Sequence, residues 1–238
     1  MIEENFGGFM NVTIGPRLRA IAEYVPIGCR LADIGSDHGY LPAWLVLHER
    51  VAKTIAGEVN QDPARRALET CREYDLAPQM EVRLGEGLSV LVPGEIDVIV
   101  IAGMGGTTIR QILDQGKGVL AYVRRLILQP NVAAMELRRW LIAHHFAIVE
   151  ETLVEENGII YEVIVAEPGQ AEPISDLEAL LGPILIKRRP ALFHRQVEAA
   201  IDERQYVLLQ LAKASSAEAE SKRLRLEQEI LDLWAVIN

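Results

Sequence analysis

Short apolar runs and amphipathic stretches alternate along the chain as far as residue 166. The apolar runs have strand character and cover 31–35, 52–58, 81–84, 97–102 and 124–129. Helical patterns cover 16–25, 40–49, 62–73, 106–118 and 132–144. Strands that alternate with helices in this way are typical of an α/β fold, in which a mainly parallel sheet carries helices on both faces.

The last two strands of the series are expected to form an antiparallel hairpin. Residues 147–154 and 159–166 have strand patterns, and the segment between them ends in Asn157-Gly158, a dipeptide typical of hairpin turns. Nucleotide-dependent dehydrogenases end their sheet with a parallel strand, so the hairpin argues against that class. It is typical instead of methyltransferases that use a sulfonium donor.

Beyond the proline- and glycine-containing segment 167–173 the pattern is helical throughout. Ser175 and Glu178 have the spacing of a capping box, and Pro190 fits the first position of another helix. We therefore divide the chain into a first domain, residues 1–168, and a helical C-terminal domain, residues 169–238.

The end of this helical region has coiled-coil spacing. Its two apolar stripes are Phe193, Val197, Ala200, Val207 and Leu211, followed by Leu226, Ile230, Leu233 and Ile237. A second capping box at Ser215 and Glu218 separates the stripes, which predicts two antiparallel helices joined by a short turn. Such a hairpin could assemble or pack the protein, or it could grip RNA.

Composition excludes several classes of protein. The two cysteines, Cys29 and Cys71, show no metal-ligand spacing, and they indicate a reducing cytoplasm and no metal site. The N-terminus lacks a signal pattern, and no apolar run approaches the ~20 residues of a membrane helix. A net charge of −10 argues against indiscriminate binding to nucleic acid, although a local basic patch could still fit one folded RNA.

The turn after the first strand is the strongest candidate for a ligand site. A strand that ends in a glycine turn and a helix N-terminus is how parallel sheets hold nucleotides. Here Asp33 stands where a phosphate-binding loop has glycine, and Gly35 and Gly39 follow it. A carboxylate repels phosphate and attracts a cation, so the pattern favours a positively charged nucleoside such as S-adenosylmethionine. The alternative is an ordinary tight turn between a strand and a helix.

Two further acidic positions fit the same ligand. Glu58 ends the second strand 25 residues after Asp33, where nucleotide sites bind ribose hydroxyls. Gly85-Glu86-Gly87 follows the third strand and could meet the adenine edge, although a plain turn would have the same sequence.

The reacting groups are expected after the fourth and fifth strands. Gly103-Met104-Gly105-Gly106 would let backbone approach a flat substrate, or would form only a tight turn at a helix start. Gln129 and Asn131 flank Pro130, and their amides could bind a base edge or cap the following helix.

Four segments together resemble the bacterial tRNA (adenine-22-N1)-methyltransferase family, TrmK. They are DIGSDHGYLP from Asp33, AGE from Ala56, IAGMGG from Ile101 and LILQPN from Leu126. The resemblance extends from about residue 13 to 166 and through the helical tail. It implies a Rossmann-like class I methyltransferase sheet with a C-terminal antiparallel β-hairpin, followed by an all-α coiled-coil domain. It also implies S-adenosylmethionine as donor and N1 of adenine 22, in the tRNA D-loop region, as target.

The resemblance also implies roles for individual residues. The cofactor would contact Asp33, Gly35, Ser36, Asp37, His38, Gly39, Glu58, Val59, Gly85, Glu86, Gly87, Ala102 and Gly103. Candidates for a catalytic role are Asp37, Met104, Gln129 and Asn131. Candidates for binding tRNA are Arg17, Gly105, Gly106, Lys187, Arg188, Arg189 and Arg195. Two alternatives remain, namely a methyltransferase of this fold acting on a small molecule or protein, and a non-catalytic module that senses a nucleotide.

Overall fold

The computed structural model describes residues 12–211 and 216–238. The strands are β1 (Cys29–Ile34), β2 (Val51–Glu58), β3 (Met80–Leu84), β4 (Val98–Met104), β5 (Arg125–Pro130), β6 (Phe146–Glu156) and β7 (Ile159–Pro168). The first six helices are α1 (Pro16–Glu23), α2 (Tyr40–Leu47), α3 (Gln61–Glu73), α4 (Gly106–Gln115), α5 (Lys117–Leu120) and α6 (Ala134–Ala143). The tail contains α7 (Asp176–Leu181), α8 (Pro183–Arg188), α9 (Phe193–Leu211) and α10 (Ala217–Ile237).

The strands form one sheet in the order β3-β2-β1-β4-β5-β7-β6. All neighbouring strands from β3 to β5 are parallel, whereas β7 is antiparallel to both β5 and β6. The carboxyl ends of β1, β2, β4 and β5 therefore share one edge of the sheet. Because β7 runs the opposite way, the turn between β6 and β7 projects beyond that same edge.

The predicted hairpin is confirmed, and its turn is shorter than expected. β6 continues to Glu156, which leaves Asn157 and Gly158 as the two turn residues. Both have positive φ, 53° and 79°, as a two-residue turn of type I′ requires.

A hydrophobic layer covers each face of the sheet. Alternate residues of a strand point to opposite faces, so Leu31 packs in the layer of α1, α2 and α3. Its neighbour Ala32 packs in the layer of α4, α5 and α6. Helices on both faces of a parallel sheet are the arrangement predicted from the sequence.

Two helix predictions need correction. The pattern over 106–118 forms two helices, because Gly116 interrupts it and Leu88 packs where a Cβ of residue 116 would lie. Pro190 does not begin a helix: α9 begins at Phe193, and the Pro190 carbonyl accepts a bond from the Phe193 N–H at 2.8 Å. Pro183 takes the first helical position instead, in α8.

Of the two predicted capping boxes, the first is confirmed and the second falls partly outside the described residues. Ser175 and Glu178 form the capping box of α7. For the last helix, Ser215 lies outside the described residues, and the cap of α10 is Ser216, whose side chain accepts from the Ala219 N–H. The N-terminal residues that lack a signal pattern, Met1 to Gly8, also lie outside the described residues.

The tail packs against the hairpin of the sheet. Leu153 of β6 shares a hydrophobic cluster with tail residues, among them Leu181, Val197 and Leu233. Within the described ranges no helix is long and apolar enough to cross a membrane.

A buried ion-pair network reinforces this contact. Arg138 of α6 has no exposed surface and donates to Glu151 at 2.7 Å. It also pairs with Glu162 and donates to the carbonyls of Ala179 and Leu180 in α7. Arg138 therefore joins the sheet to the tail and is not an exposed cation.

Candidate active site

The turn after β1 places a carboxylate beneath a glycine bend. Asp33 is only 5 % exposed. Gly35 has φ +75°, a conformation that favours glycine, and its N–H donates to the Gly57 carbonyl at 2.8 Å. A Cβ at residue 35 would collide with the end of the Met104 side chain. The positive φ therefore favours glycine at position 35, and a larger residue would also have to displace the flexible end of Met104.

Glu58 holds the same turn from the neighbouring strand. Its carboxylate accepts a hydrogen bond from the Asp37 N–H, and Asp37 has a left-handed backbone with φ 56°. The Asp37 carboxylate is turned toward Arg66, which donates to it at 2.8 Å. Glu58 therefore organises the turn, and its carboxylate has a second oxygen that this bond does not use.

All of the predicted cofactor residues except Gly39 line one cleft with two adjoining lobes at the carboxyl edge of the sheet. The first lobe, about 340 Å³, is lined by Arg17, Asp33, Ser36, His38 and Tyr40, among others. The second lobe, about 450 Å³, is lined by Glu58, Val59, Gly85, Glu86, Gly87 and Met104, among others. Gly35, Asp37, Ala102 and Gly103 line both lobes. Each volume falls in the range of ligand pockets, roughly 300–1,000 Å³.

The electrostatics of the cleft suit a cation. Burial raises the pKa of the Asp33 carboxyl from 3.8 to about 7; the Glu58 carboxylate also raises it, and the Arg17 guanidinium opposes the shift. Burial likewise raises the pKa of Glu58. A positively charged ligand would stabilise both carboxylates, whereas a phosphate would not. These residues therefore fit the sulfonium and ammonium groups of S-adenosylmethionine.

A chain of amide hydrogen bonds supports the loop after β4. Gln129 has no exposed surface, and its Oε1 accepts from the Gly103 N–H at 3.0 Å and from Arg17 at 2.7 Å. Its Nε2 donates to Asn131 at 3.0 Å, and Asn131 donates to the Gly103 carbonyl at 2.8 Å. The sequence left open whether these amides bind a base edge or cap the next helix. The structure buries Gln129 beneath the loop and outside the lining of both lobes, so its bonds support the loop.

Two of the predicted contact glycines have packing roles. Gly39 has φ +69°, and a Cβ there would crowd Met80 and Ala67. Gly106 is buried, and its N–H donates to the Val132 carbonyl at 2.8 Å. These positions bring backbone segments together, and neither is among the residues that line the two lobes. Gly105 caps α4 next to Val132.

The basic residues assigned to tRNA binding separate into three groups. Arg17 reaches the cleft itself. Arg188 and Arg195 are paired with Glu150 and Glu155 of β6, each through two hydrogen bonds. Lys187 and Arg189 are exposed at the end of α8, and no ion pair involves them among the described residues.

Several residues at this edge were not predicted. Arg66 orients Asp37, and Tyr161 lies under Arg17, whose guanidinium carbon is 5.5 Å from the ring centroid. Thr108 and Ile112 of α4 line the second lobe. Tyr40, which lines the first lobe, was not predicted either, and its ring stacks on His38 with centroids 5.0 Å apart. It is the one residue of this group that the sequence could have indicated, because it lies in the glycine-turn motif.

The family is decided by comparison with known proteins. Residues 31–234 match the model of TrmK, described as tRNA (adenine(22)-N(1))-methyltransferase. The chain belongs to this family. A curated Bacillus subtilis (strain 168) relative named tRNA (adenine(22)-N(1))-methyltransferase is 40 % identical over 217 residues, which cover 89 % of this chain and 91 % of the relative.

Solved structures of TrmK proteins confirm the predicted fold class. The crystal structure of the B. subtilis m1A22 tRNA methyltransferase TrmK has a TM-score of 0.89 at 37 % identity, covering 96 % of this chain and 100 % of that one. A candidate tRNA (m1A22) methyltransferase from Streptococcus pneumoniae, solved in complex with S-adenosyl-L-methionine, has a TM-score of 0.87 at 36 % identity. It covers 95 % of this chain and 100 % of that one.

The described residues contain no group of three or more His, Cys, Asp or Glu side chains that could hold a metal ion.

Proposed function

We propose that this TrmK protein transfers a methyl group from S-adenosylmethionine to N1 of adenine 22 in tRNA. The observation that carries the proposal is the cleft in which Asp33 and Glu58, both buried, lie at the ends of adjacent strands. The B. subtilis relative of similar length is named for this reaction, and the S. pneumoniae relative was solved with this donor. A tRNA substrate implies a cytoplasmic location.

We assign the two lobes to the two ends of the donor, which when bound supplies an electrophilic methyl group. Asp33, Gly35 and Ser36 would hold the amino-acid end in the first lobe. Glu58 would bind the ribose, and Val59 with the 85–87 turn would hold the adenine in the second lobe. The shared residues Ala102 and Gly103 lie where the lobes meet, which is where the target base would have to enter.

Positioning explains most of the proposed catalysis. N1 of an unpaired adenine already has a free lone pair, so the chain needs no general base to activate it. Holding N1 in line with the methyl group converts the reaction into an effectively unimolecular step. A paired adenine hides N1, so the base must be exposed or flipped out. Asp33 and Asp37 line the first lobe, and their carboxylates would offset the positive charge of the methylated adenine.

The tail is proposed to help bind tRNA. The whole chain carries a net charge of −10, so approach to a polyanion requires a local excess of cations. Of the four tail cations predicted to bind tRNA, Lys187 and Arg189 are the better placed for this role, since Arg188 and Arg195 are paired with β6. We keep residues 169–238 as the proposed second domain, whose core includes Leu153 of the sheet.

Mass mapping of tRNA nucleosides tests the function. The full chain is incubated with methyl-deuterated S-adenosylmethionine and a tRNA transcript, alongside a transcript in which adenine 22 is replaced by guanine. We expect labelled 1-methyladenosine at position 22 of the first transcript only. Label at another nucleoside, or transfer only to a small molecule or protein, would contradict the proposal. Cofactor binding without transfer to any acceptor would favour the nucleotide-sensing alternative.

A further inference from the structure

The turn between β5 and α6 is held tightly against the loop that follows β4. The Asn131 N–H donates to the Met104 carbonyl at 2.8 Å, and the Asn131 side chain donates to the Gly103 carbonyl at 2.8 Å. A third bond runs the other way, from the Gly106 N–H to the Val132 carbonyl at 2.8 Å. The turn therefore has one position relative to the loop beside the proposed target base.

Backbone strain accompanies these bonds. Ala133 completes the turn in the left-handed region, with φ 58° and ψ 36°, where a residue with a Cβ is disfavoured. Its carbonyl lies against Gly106, and a Cβ at residue 106 would collide with it. Strain of this kind persists only where the surrounding structure holds it, and it is concentrated at functional sites. The strained residue and the bonds together fix the backbone of the preceding residue, Val132.

Val132 is exposed at a position that favours burial. An apolar residue just before a helix cap commonly packs against the fourth residue of the helix, which in α6 is the buried Leu137. Val132 is instead 68 % exposed, and among the described residues it is not part of the hydrophobic layer that contains Leu137. Its Cγ2 would lie 3.5 Å from a Cβ added at Gly105. A single exposed valine is ordinary, but this one is rigid and adjoins the loop whose Gly103 lines both lobes.

We propose that Val132 is an apolar wedge that contacts the tRNA stem when adenine 22 leaves it. The proposal rests on the proposed function and adds the residue that offsets the unstacking of the target base. Proteins that unstack bases insert apolar side chains between base steps, and extrusion of a base has an unstacking cost. A β-branched side chain on a fixed backbone loses little conformational freedom in such a contact. Val132 is thus a positioning residue, and it lies outside the lining of both lobes.

Single-turnover methylation of two tRNA transcripts tests the wedge. In the first transcript adenine 22 is base-paired, and in the second an abasic site opposite it leaves it unpaired. Val132→Ala should slow methylation of the paired transcript by about tenfold, because the cost of extrusion is then offset less. The unpaired transcript should react within about twofold of the wild-type rate, since its extrusion cost is the smaller. Val132→Leu keeps an apolar side chain and should retain most of the rate on both.

The matched control is Val92→Ala. Val92 is exposed to a similar extent, 61 %, and lies two residues before Gly94, whose carbonyl accepts from Arg30 near the start of β1. It is therefore at the opposite edge of the sheet from the cleft. Both valines are exposed, so both replacements should leave thermal unfolding and binding of S-adenosylmethionine unchanged.

Two results would overturn the proposal. Equal slowing of both transcripts by Val132→Ala would mean that the valine contacts the reacting base or shapes the loop. Unchanged rates on both transcripts would mean that it contacts nothing that matters for extrusion.

Fluorescence of 2-aminopurine at position 22 separates this proposal from the proposed function, because it rises on unstacking without any methyl transfer. With S-adenosylhomocysteine present, we expect a rise on binding to the wild-type chain and a smaller rise with Val132→Ala. A rise that depends on Val132 in a chain that methylates no tRNA would support the wedge and refute the proposed function. An equal rise with both chains, or no rise with either, would overturn the wedge.

Discussion

The side chain of Gln129 bonds directly to the backbone of Gly103, with 3.0 Å between Oε1 and the amide nitrogen. Gln129 and Gly103 lie one residue before the ends of β5 and β4, so the bond crosses between neighbouring strands at the edge that carries the cleft. Gly103 has φ +77°, a conformation that favours glycine. The conformation of the loop beside the proposed target base is therefore set by a buried amide on the next strand.

Replacing Gln129 by Leu should lower kcat more than it changes affinity for the cofactor. Leucine has a similar volume but cannot accept from Gly103 or Arg17, and an unsatisfied buried donor costs about 1–3 kcal/mol. We expect kcat for tRNA methylation to fall about tenfold or more, measured under single-turnover conditions. Gln111→Leu, at an exposed position on α4, is the control. Normal kcat in the Gln129 variant would mean that the loop does not depend on this amide.

Affinity for S-adenosylmethionine should rise with pH and level off above about pH 7. The pKa of Asp33 is raised to about 7 in the free protein, so the group is largely protonated below that pH. Only the carboxylate attracts the cationic donor, and binding at lower pH must therefore release a proton. The affinity should fall by up to about tenfold per pH unit below 7, as linkage requires.

Calorimetry from pH 5.5 to 8.5, in buffers of different ionisation enthalpy, measures this release. Asp33→Asn should bind weakly at every pH and show no slope. A wild-type affinity that does not vary with pH would mean that Asp33 is not the charge that the donor meets.

Glu58 should affect cofactor binding without changing which base is modified. Glu58→Ala removes both the proposed ribose contact and the acceptor for the Asp37 N–H, so we expect at least about tenfold weaker binding. Glu58→Gln keeps an acceptor oxygen and should lose less. Calorimetry and nucleoside mapping test the two parts separately, and a shift of methylation to another nucleotide would contradict the ribose role.

The neighbours Arg138 and Arg139 should differ sharply in their effect on stability. Arg138→Met leaves Glu151, 3 % exposed, and Glu162 without their cation, and breaking a buried pair in this way costs about 3–5 kcal/mol. Arg139 is half exposed and pairs with Asp176 at the surface, so Arg139→Met should cost at most about 1 kcal/mol. Denaturant unfolding measures both, and equal costs would show that the network does not hold the tail to the sheet.

The exposed cations at the end of α8 should affect tRNA alone. The double replacement Lys187→Gln and Arg189→Gln should raise the KM for tRNA and make it less sensitive to salt, by up to about one unit of slope per lost phosphate contact. Binding of S-adenosylmethionine should not change. Lys117→Gln, an exposed lysine at the start of α5, is the control. An unchanged KM and salt dependence would leave the tail with an assembly or packing role.

Local signals determined much of the architecture. Alternating apolar and amphipathic segments specified the strands and helices. Burial of one face of a sheet or one stripe of a helix imposes a characteristic spacing on the apolar residues of the sequence. Asn157-Gly158 specified the hairpin, since few other dipeptides adopt two successive positive φ angles. The predicted helix boundaries were wrong at two places where distant contacts or the local turn set them. Leu88 packs against Gly116, where the predicted single helix is interrupted, and α9 begins three residues after Pro190.

The sequence by itself also determined which residues of the first two strands form the cleft, since Asp33, Gly35 and Glu58 end adjacent parallel strands. Only the tertiary structure decided what Arg17, Gln129 and Arg138 do. Their partners lie on other elements, with Arg17 and Gln129 separated by 112 positions and Arg138 and Ala179 by 41. The insertion of β7 between β5 and β6 brings the hairpin tip, with Glu156 and Tyr161, over α1. Strand order results from packing the whole sheet, so no local pattern could show that an arginine near the N-terminus points into the cleft.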